Sequence, residues 1–216
     1  MTPERRLIFL CGEAEGEAFR AHVGRLAPGL ETVWCSTIAA LDFATRTGGE
    51  NARLISFLTD HIVPKKILDR LAPQPLNIHP GPPEYPGAHG LSFAIFENAR
   101  AYGVTVHEMA AKVDDGPIVL VDRFAMPLDA ELVAFGDQVY ARAVTLADKV
   151  IQHCIASDDP MPPAAYEAWS EHHCTRKRLK ELMAAANLLT PPDRARLERA
   201  CGPLLDEHVK AASSHG

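Results

Sequence analysis

No strand inside a β-sheet can run through Pro80-Gly81-Pro82-Pro83, and that stop constrains the residues before it. Proline lacks the N–H that a sheet ladder needs, so a strand over Leu76 to His79 must end at Pro80. Side chains alternate along a strand. Asn77 and His79 therefore share one face, and Leu76 and Ile78 the other. Two polar side chains thus stand together at the carboxyl end of an apolar strand. In open α/β sheets that end is where ligands bind. An isolated Asn-x-His also fits a hydrogen-bonded polar pair in a core or at an edge, so the surroundings must decide.

The surroundings read as alternating strands and helices. Leu7 to Cys11 is a short apolar run closed by Gly12, a buried strand followed by a turn. The spacing predicts a helix over Glu13 to Leu26, ended by Pro28 and Gly29. Thr32 to Cys35 reads as a second strand, Ile38 to Arg46 as a helix, and Leu54 to Leu58 as a third strand. Pro64 opens a helix to about Leu71, where its missing N–H does no harm. After the Pro-Gly-Pro-Pro stop come a helix over Gly90 to Asn98 and strands over Val104 to Met109 and Ile118 to Phe124. A polar loop, Lys112 to Gly116, separates those two strands. Apolar residues then recur at helical spacing from Glu131 to Ile155. The pattern predicts an α/β fold, Rossmann-like, with a mostly parallel sheet flanked by helices. We expect that domain to occupy residues 1–157. The Asp- and Pro-rich stretch from Asp158 to Pro163 reads as a linker. Two amphipathic helices follow, Arg176 to Ala186 and Pro192 to Lys210, the second capped by Thr190. Residues 158–216 thus read as a linker with a helical appendage, its tip from Ala211 to Gly216 disordered.

Composition narrows the function. The chain has 216 residues, enough for one well-buried α/β domain. A net charge of −6 argues against a sequence-independent grip on nucleic acid, which needs a basic face. The local run Arg176-Lys-Arg-Leu-Lys180 reads as a solvated helix face. The five cysteines are scattered and odd in number, which suits reduced thiols and a cytoplasmic protein. No apolar stretch is long enough to span a bilayer. His172-His173-Cys174 lacks a second ligand pair, so no metal is expected. Trp34 and Trp169 read as packing residues.

The stretches LNIHPGPPEYPGAHG and GVTVHEMAAKVDDGPIVLVDRF resemble the core of the folate-dependent formyltransferases. That family includes glycinamide ribonucleotide transformylase, methionyl-tRNA formyltransferase, sugar N-formyltransferases and formyltetrahydrofolate hydrolase. Its Asn-x-His-Pro, glycine loop and Asp-x-Gly occur here in order. The resemblance covers roughly Arg6 to Ile155. It implies that Asn77, His79 and Asp114 are catalytic, because Gly116 selects Asp114 over Asp115 as the acid of Asp-x-Gly. It also implies 10-formyltetrahydrofolate as formyl donor, with no metal and no covalent nucleophile. An amine would attack the formyl carbon. Asn77 and a protonated His79 would donate to the oxyanion of the tetrahedral intermediate. Asp114 would favour the imidazolium and shuttle the amine's proton.

The same resemblance implies a folate site built from Leu58, His61, Ile62 and Val63 on one loop and from Ala111 and Val113 on another. Backbone groups would read the pterin, with Ile62 packing on the ring. His89 and His107 fall where acceptor-lining residues occur in the purine branch, although His107, on a strand, also fits a satisfied core histidine. Three departures bear on the acceptor. Cys11-Gly-Glu-Ala-Glu-Gly16 places two acids where the purine enzyme cradles a phosphate. Gly81-Pro82-Pro83-Glu84 replaces the usual Ser-Leu-Leu-Pro. The basic tRNA-binding domain of methionyl-tRNA formyltransferase has no counterpart. The acceptor expected by elimination is a primary amine on an amino sugar or its nucleotide. Hydrolysis of the same folate and a catalytically silent folate- or partner-binding module are the alternatives. The C-terminal helices could also mediate a homodimer.

Overall fold

The computed structural model describes residues 5–72 and 74–202. The predicted end of the last helix at Lys210, and the tip from Ala211, lie outside them. Six strands form one sheet in the order β2-β1-β3-β4-β5-β6. They are β1 (Arg6–Leu10), β2 (Glu31–Cys35), β3 (Ala52–Phe57), β4 (Leu76–His79), β5 (Ala101–Glu108) and β6 (Ile118–Ala125). The pairs β1–β2, β1–β3 and β3–β4 are parallel, and β4–β5 is antiparallel. The helices are α1 (Glu13–Leu26), α2 (Ile38–Ala44), α3 (Lys65–Leu68), α4 (Gly90–Phe96), α5 (Leu132–Ala156), α6 (Arg176–Ala184) and α7 (Pro191–Cys201).

Most elements fall where the spacing places them. Helices α2, α3, α4 and α6 end two or three residues before the predicted positions, and the first two have a visible cause. Helix α2 ends at Ala44 because the Thr45 hydroxyl turns back onto the carbonyls of Leu41 and Asp42. Helix α3 covers only Lys65–Leu68. After it, Arg70 and Leu71 bond to carbonyls three residues back, and Ala72 donates to Gly49 and Ala52 instead of to its own helix.

By internal contacts the chain divides into two compact units. The first comprises Met1–His79, Thr105–Val121 and Ala143–Ala168. On one face of its sheet Ile8, Leu10, Leu54 and Ala52 pack with Leu41, Val63 and Ile67. On the other face Phe19 of α1 stacks between Phe9 and Phe57. Helix α1 comes close to β2 only because Gly16 has no side chain, since a Cβ there would lie 2.2 Å from the Trp34 ring. Trp34 is a packing residue whose Nε1 donates to the Cys11 carbonyl. The stretch expected as a linker is tied down. The Gln74 side chain pairs with both backbone groups of Met161, and Arg53 donates to the carbonyls of Ser157 and Asp159. Arg5 donates to the Cys154 carbonyl, so cations face the carboxyl end of α5, where the helix dipole favours them.

The second unit comprises Pro80–Val104, Asp122–Arg142 and Trp169–Gly216. Its core joins Phe93 of α4 to Cys174, Leu179, Met183, Leu197 and Cys201. Tyr102 is fully buried and donates to the Pro80 carbonyl, which fixes the turn after β4. Thr175 and Thr190 cap α6 and α7 through side-chain oxygens that accept from Arg178 N and Asp193 N.

Candidate active site

The candidate site lies within the first unit, on the sheet face that carries Leu54. Parallel and antiparallel registers set four residues side by side across the strands: Leu10, Ser56, Asn77 and His107. Registered neighbours point to the same face. His107 is therefore the cross-strand partner of Asn77, and the two side chains meet, with Asn77 Nδ2 3.0 Å from His107 Nε2.

The hydrogen bonds define the state of His107. Its Nδ1 lies 2.9 Å from the Glu108 carbonyl oxygen, which can only accept, so Nδ1 carries a proton. The Asn77 amide nitrogen can only donate, so Nε2 accepts from it. With the amide in this orientation, Nδ1 of His107 is the donor and Nε2 the acceptor. Asp114 stands against both histidines. Its Oδ1 is 3.4 Å from His107 Nε2, and its Oδ2 is 3.6 Å from His79 Nδ1. His79, His107 and Asp114 are all buried, whereas Asn77 is half-buried and open to a ligand.

The loop from Met109 to Pro117 delivers Asp114. Asp114 sits at φ +47°, a left-handed conformation that short polar residues tolerate best. Gly116 is indispensable for a separate reason. A Cβ there would lie 1.8 Å from the Glu108 carbonyl oxygen, the same oxygen that accepts from His107. The adjacent Asp115 is exposed and paired with Lys112 at 2.9 Å. Of the two acids, Asp114 alone faces the histidines.

The other predicted residues are placed as follows. Leu58 is half-buried at φ +47°, and its N–H points to the Ile78 carbonyl at 3.5 Å. His61 is exposed, and its Nε2 is 2.9 Å from the Ser36 carbonyl. Ile62 is 63% exposed, which leaves its side chain accessible to a ligand. Val63 belongs to the core, which leaves only its backbone for a ligand. Ala111 and Val113 are exposed. His89 lies in the second unit, at the head of α4, with its N–H on the Cys174 carbonyl.

Two features escaped the sequence reading. One is the direct contact of His107 with Asn77. The other is Ser56, whose signal was a lone hydroxyl in the apolar run from Leu54 to Leu58. Among the described residues no cluster of three His, Cys, Asp or Glu is arranged to hold a metal. Nor is any described helix long and apolar enough to cross a membrane.

Residues 54–151 match the sequence profile of the family described as formyl transferase. No curated protein matches the chain in sequence. Solved structures match in fold at low identity. HypX from Aquifex aeolicus, in complex with tetrahydrofolic acid, aligns over 92% of this chain at 18% identity and TM-score 0.59. This chain spans only 34% of HypX. The N-formyltransferase from Helicobacter canadensis, in complex with folinic acid and dTDP-3-aminofucose, aligns over 91% of this chain and 80% of its own, at 15% identity and TM-score 0.69. A 4-N formyltransferase from Francisella tularensis aligns over 92% of this chain and 88% of its own, at 18% identity and TM-score 0.67. The matched segment contains Ser56, Asn77, His79, His107 and Asp114. The chain therefore has the formyltransferase fold, and its residues 54–151 match the formyl transferase family.

Proposed function

We propose that this chain transfers a formyl group from 10-formyltetrahydrofolate to a primary amine, with an amino sugar or its nucleotide as acceptor. The grouping of half-buried Asn77 with buried His79, His107 and Asp114 inside the family-matched segment carries the reading. The folate donor is assigned to two loops of the first unit. Exposed Ile62 and Val113 offer apolar contact to a flat ring, while the backbone of Leu58, His61, Val63 and Ala111 offers polar groups. When bound, 10-formyltetrahydrofolate supplies an activated formyl carbon.

The chain's own residues then divide the work. Asn77 has two amide protons. One is committed to His107 Nε2, and the other remains for the formyl oxygen, where negative charge develops. His79 holds a proton toward that oxygen, its charge balanced by Asp114 Oδ2 facing Nδ1. Asp114 also accepts the proton that the attacking amine loses, directly or through one water, and passes it to the folate nitrogen as the formyl–nitrogen bond breaks and tetrahydrofolate leaves. No thiol competes as nucleophile. Cys11, at the end of β1, is buried, and that burial pushes its pKa up to about 12.

Two observations support this acceptor. The Helicobacter canadensis enzyme of the same fold holds dTDP-3-aminofucose. Glu13 and Glu15 in the first turn of α1 disfavour the phosphate cradle that the purine branch needs there, which argues against that branch's acceptor. His107 is turned inward on Asn77 and orients it, although it remains within reach of an acceptor through that amide.

The test is tetrahydrofolate release from 10-formyltetrahydrofolate, without an acceptor and then with amino sugars, amino-sugar nucleotides and amino acids. Asp114→Asn serves as control. Release only with an amino-sugar class supports the reading. Rapid release with no amine would make the chain a hydrolase. Folate binding without release from any mixture would leave a silent binding module and refute the proposal.

A further inference from the structure

The sheet face that carries Asn77 holds one more polar side chain. Ser56 of β3 is the registered neighbour of Asn77 on β4. On its other side in the row stands Leu10, which has no polar side-chain atom. Ser56 is 1% exposed, and its Oγ has no hydrogen-bond partner among the described residues. A buried hydroxyl without a partner is costly, and alanine would fill nearly the same space without that cost. The rest of the strand face, Ala52 and Leu54, is apolar and packs in the core.

Asn77 has the complementary need. Its Nδ2 is held by His107 Nε2, which fixes Oδ1 at the opposite corner of the amide. A flipped amide would put Oδ1 against Nε2, and two acceptors would then face each other while Nδ1 keeps its proton on the Glu108 carbonyl. In that orientation Oδ1 is an acceptor that a donor on the neighbouring strand can satisfy. Neighbouring strands lie about 4.8 Å apart, a gap that a serine hydroxyl and an asparagine carboxamide on the same face can close. We propose that Ser56 is a positioning residue whose side chain, by turning about Cα–Cβ, brings its hydroxyl to donate to Asn77 Oδ1 and keeps Nδ2 directed at His107 and at the formyl oxygen. Its kinetic consequence rests on the formyl-transfer reading; its geometric consequence does not.

The experiment therefore has two arms. In the kinetic arm, Ser56→Ala should lower kcat about tenfold, the cost of one misdirected hydrogen bond, and leave KM for the folate unchanged. Ser56→Thr, which restores the hydroxyl, should recover part of the loss. In an Asn77→Ala background Ser56→Ala should have no further effect, because Ser56 acts through Asn77. An equal loss in both backgrounds, or a rise in KM alone, overturns the proposal. The second arm reads the full-length protein without catalysis. The Asn77 side-chain amide protons and the His107 ring nitrogens are followed by NMR. Ser56→Ala should speed exchange of the amide protons and shift the His107 Nε2 resonance at unchanged global stability. Unmoved resonances in that variant sink the inference even if formyl transfer is established. Moved resonances sustain it even if no amine proves to be a substrate.

Discussion

Gly116→Ala removes nothing that could touch a ligand, yet it should cost most of the activity. The added methyl carbon would begin 1.8 Å from the Glu108 carbonyl oxygen, and real Cβ atoms do not come within 3.0 Å of such a neighbour. Going from 1.8 to 3.0 Å requires about 1.2 Å of movement, from backbone on both sides because the obstacle is itself a carbonyl. Two bonds hang on that carbonyl's residue: His107 Nδ1 donates to its oxygen, and its N–H donates to Pro117 O at 2.9 Å. Releasing the first frees the His107 ring and with it the acceptor of Asn77. Releasing the second lets the loop that holds Asp114 drift, two residues from the substitution. A misplacement near 1 Å costs about 10²-fold in rate. Two weakened hydrogen bonds cost about 1–3 kcal/mol of stability, which for a chain of this size is roughly 2–4 °C in Tm per kcal/mol. Tetrahydrofolate release and a thermal melt of the same preparation read both effects. A variant with full turnover and an unchanged melt would falsify the claim that the loop is seated by this contact.

Other outcomes follow from the same geometry. Asp114→Asn should keep the fold and lower turnover by about 10²–10⁴, the range for loss of a general base; wild-type turnover would remove Asp114 from the mechanism. Asn77→Ala should cost about 10²–10³ in kcat, as loss of one oxyanion donor does, measured against an unchanged far-ultraviolet spectrum. All five cysteines are buried, and burial pushes Cys35, Cys174 and Cys201 up to about 11 and Cys11 to about 12. Iodoacetamide at pH 8 should therefore label the denatured chain and spare the native one, and fast native labelling would refute that placement. Hydrogen bonds from Arg46 and then Arg70 hold the Asp42 carboxyl below its usual pKa. A depressed carboxylate stabilises the fold above its unfolded pKa, about 3.9, and loses that contribution as pH falls through its folded value. The stability gap between wild type and Asp42→Ala should then be constant near neutrality and close below about pH 4; a gap that persists at pH 2 would contradict the pairing.

The fold was legible where two periodicities met strong punctuation. Glu13–Leu26 could be bounded to the residue because apolar spacing, Gly12 and Pro28 agree. Leu76–His79 could be bounded because Pro80 allows no continuation. Helix α3 was overextended because nothing local marks its end. Its last turn is undone by Ala72, which finds acceptors on Gly49 and Ala52 across the chain, and no one-dimensional pattern carries that information. The stretch from Asp158 to Pro163 has a linker's composition. It is nonetheless fastened by Gln74 and Arg53, two polar residues in apolar surroundings whose partners lie more than 80 residues away.

The site divides along the same line. Asn77 and His79 follow from strand alternation and a proline stop, both local. Asp114 follows from its spacing to Gly116, and the Glu108 carbonyl supplies the physical reason for that spacing. His107 and Ser56 are different, because each depends on register. His107 faces Asn77 only if β5 runs antiparallel to β4 and pairs in the register that sets Leu76 against Glu108. A shift of one residue would turn His107 to the other face and place Val106 or Glu108 beside Asn77. The sequence does contain the forces that choose between these registers. Val104 and Val106 are fully buried, the Pro75 carbonyl takes the Met109 N–H, and Gly116 allows the return loop to lie against Glu108. Those forces act between segments some 30 residues apart. They become a statement about His107 only after strand direction is known, which explains why a histidine on an apolar strand read equally well as core or as site.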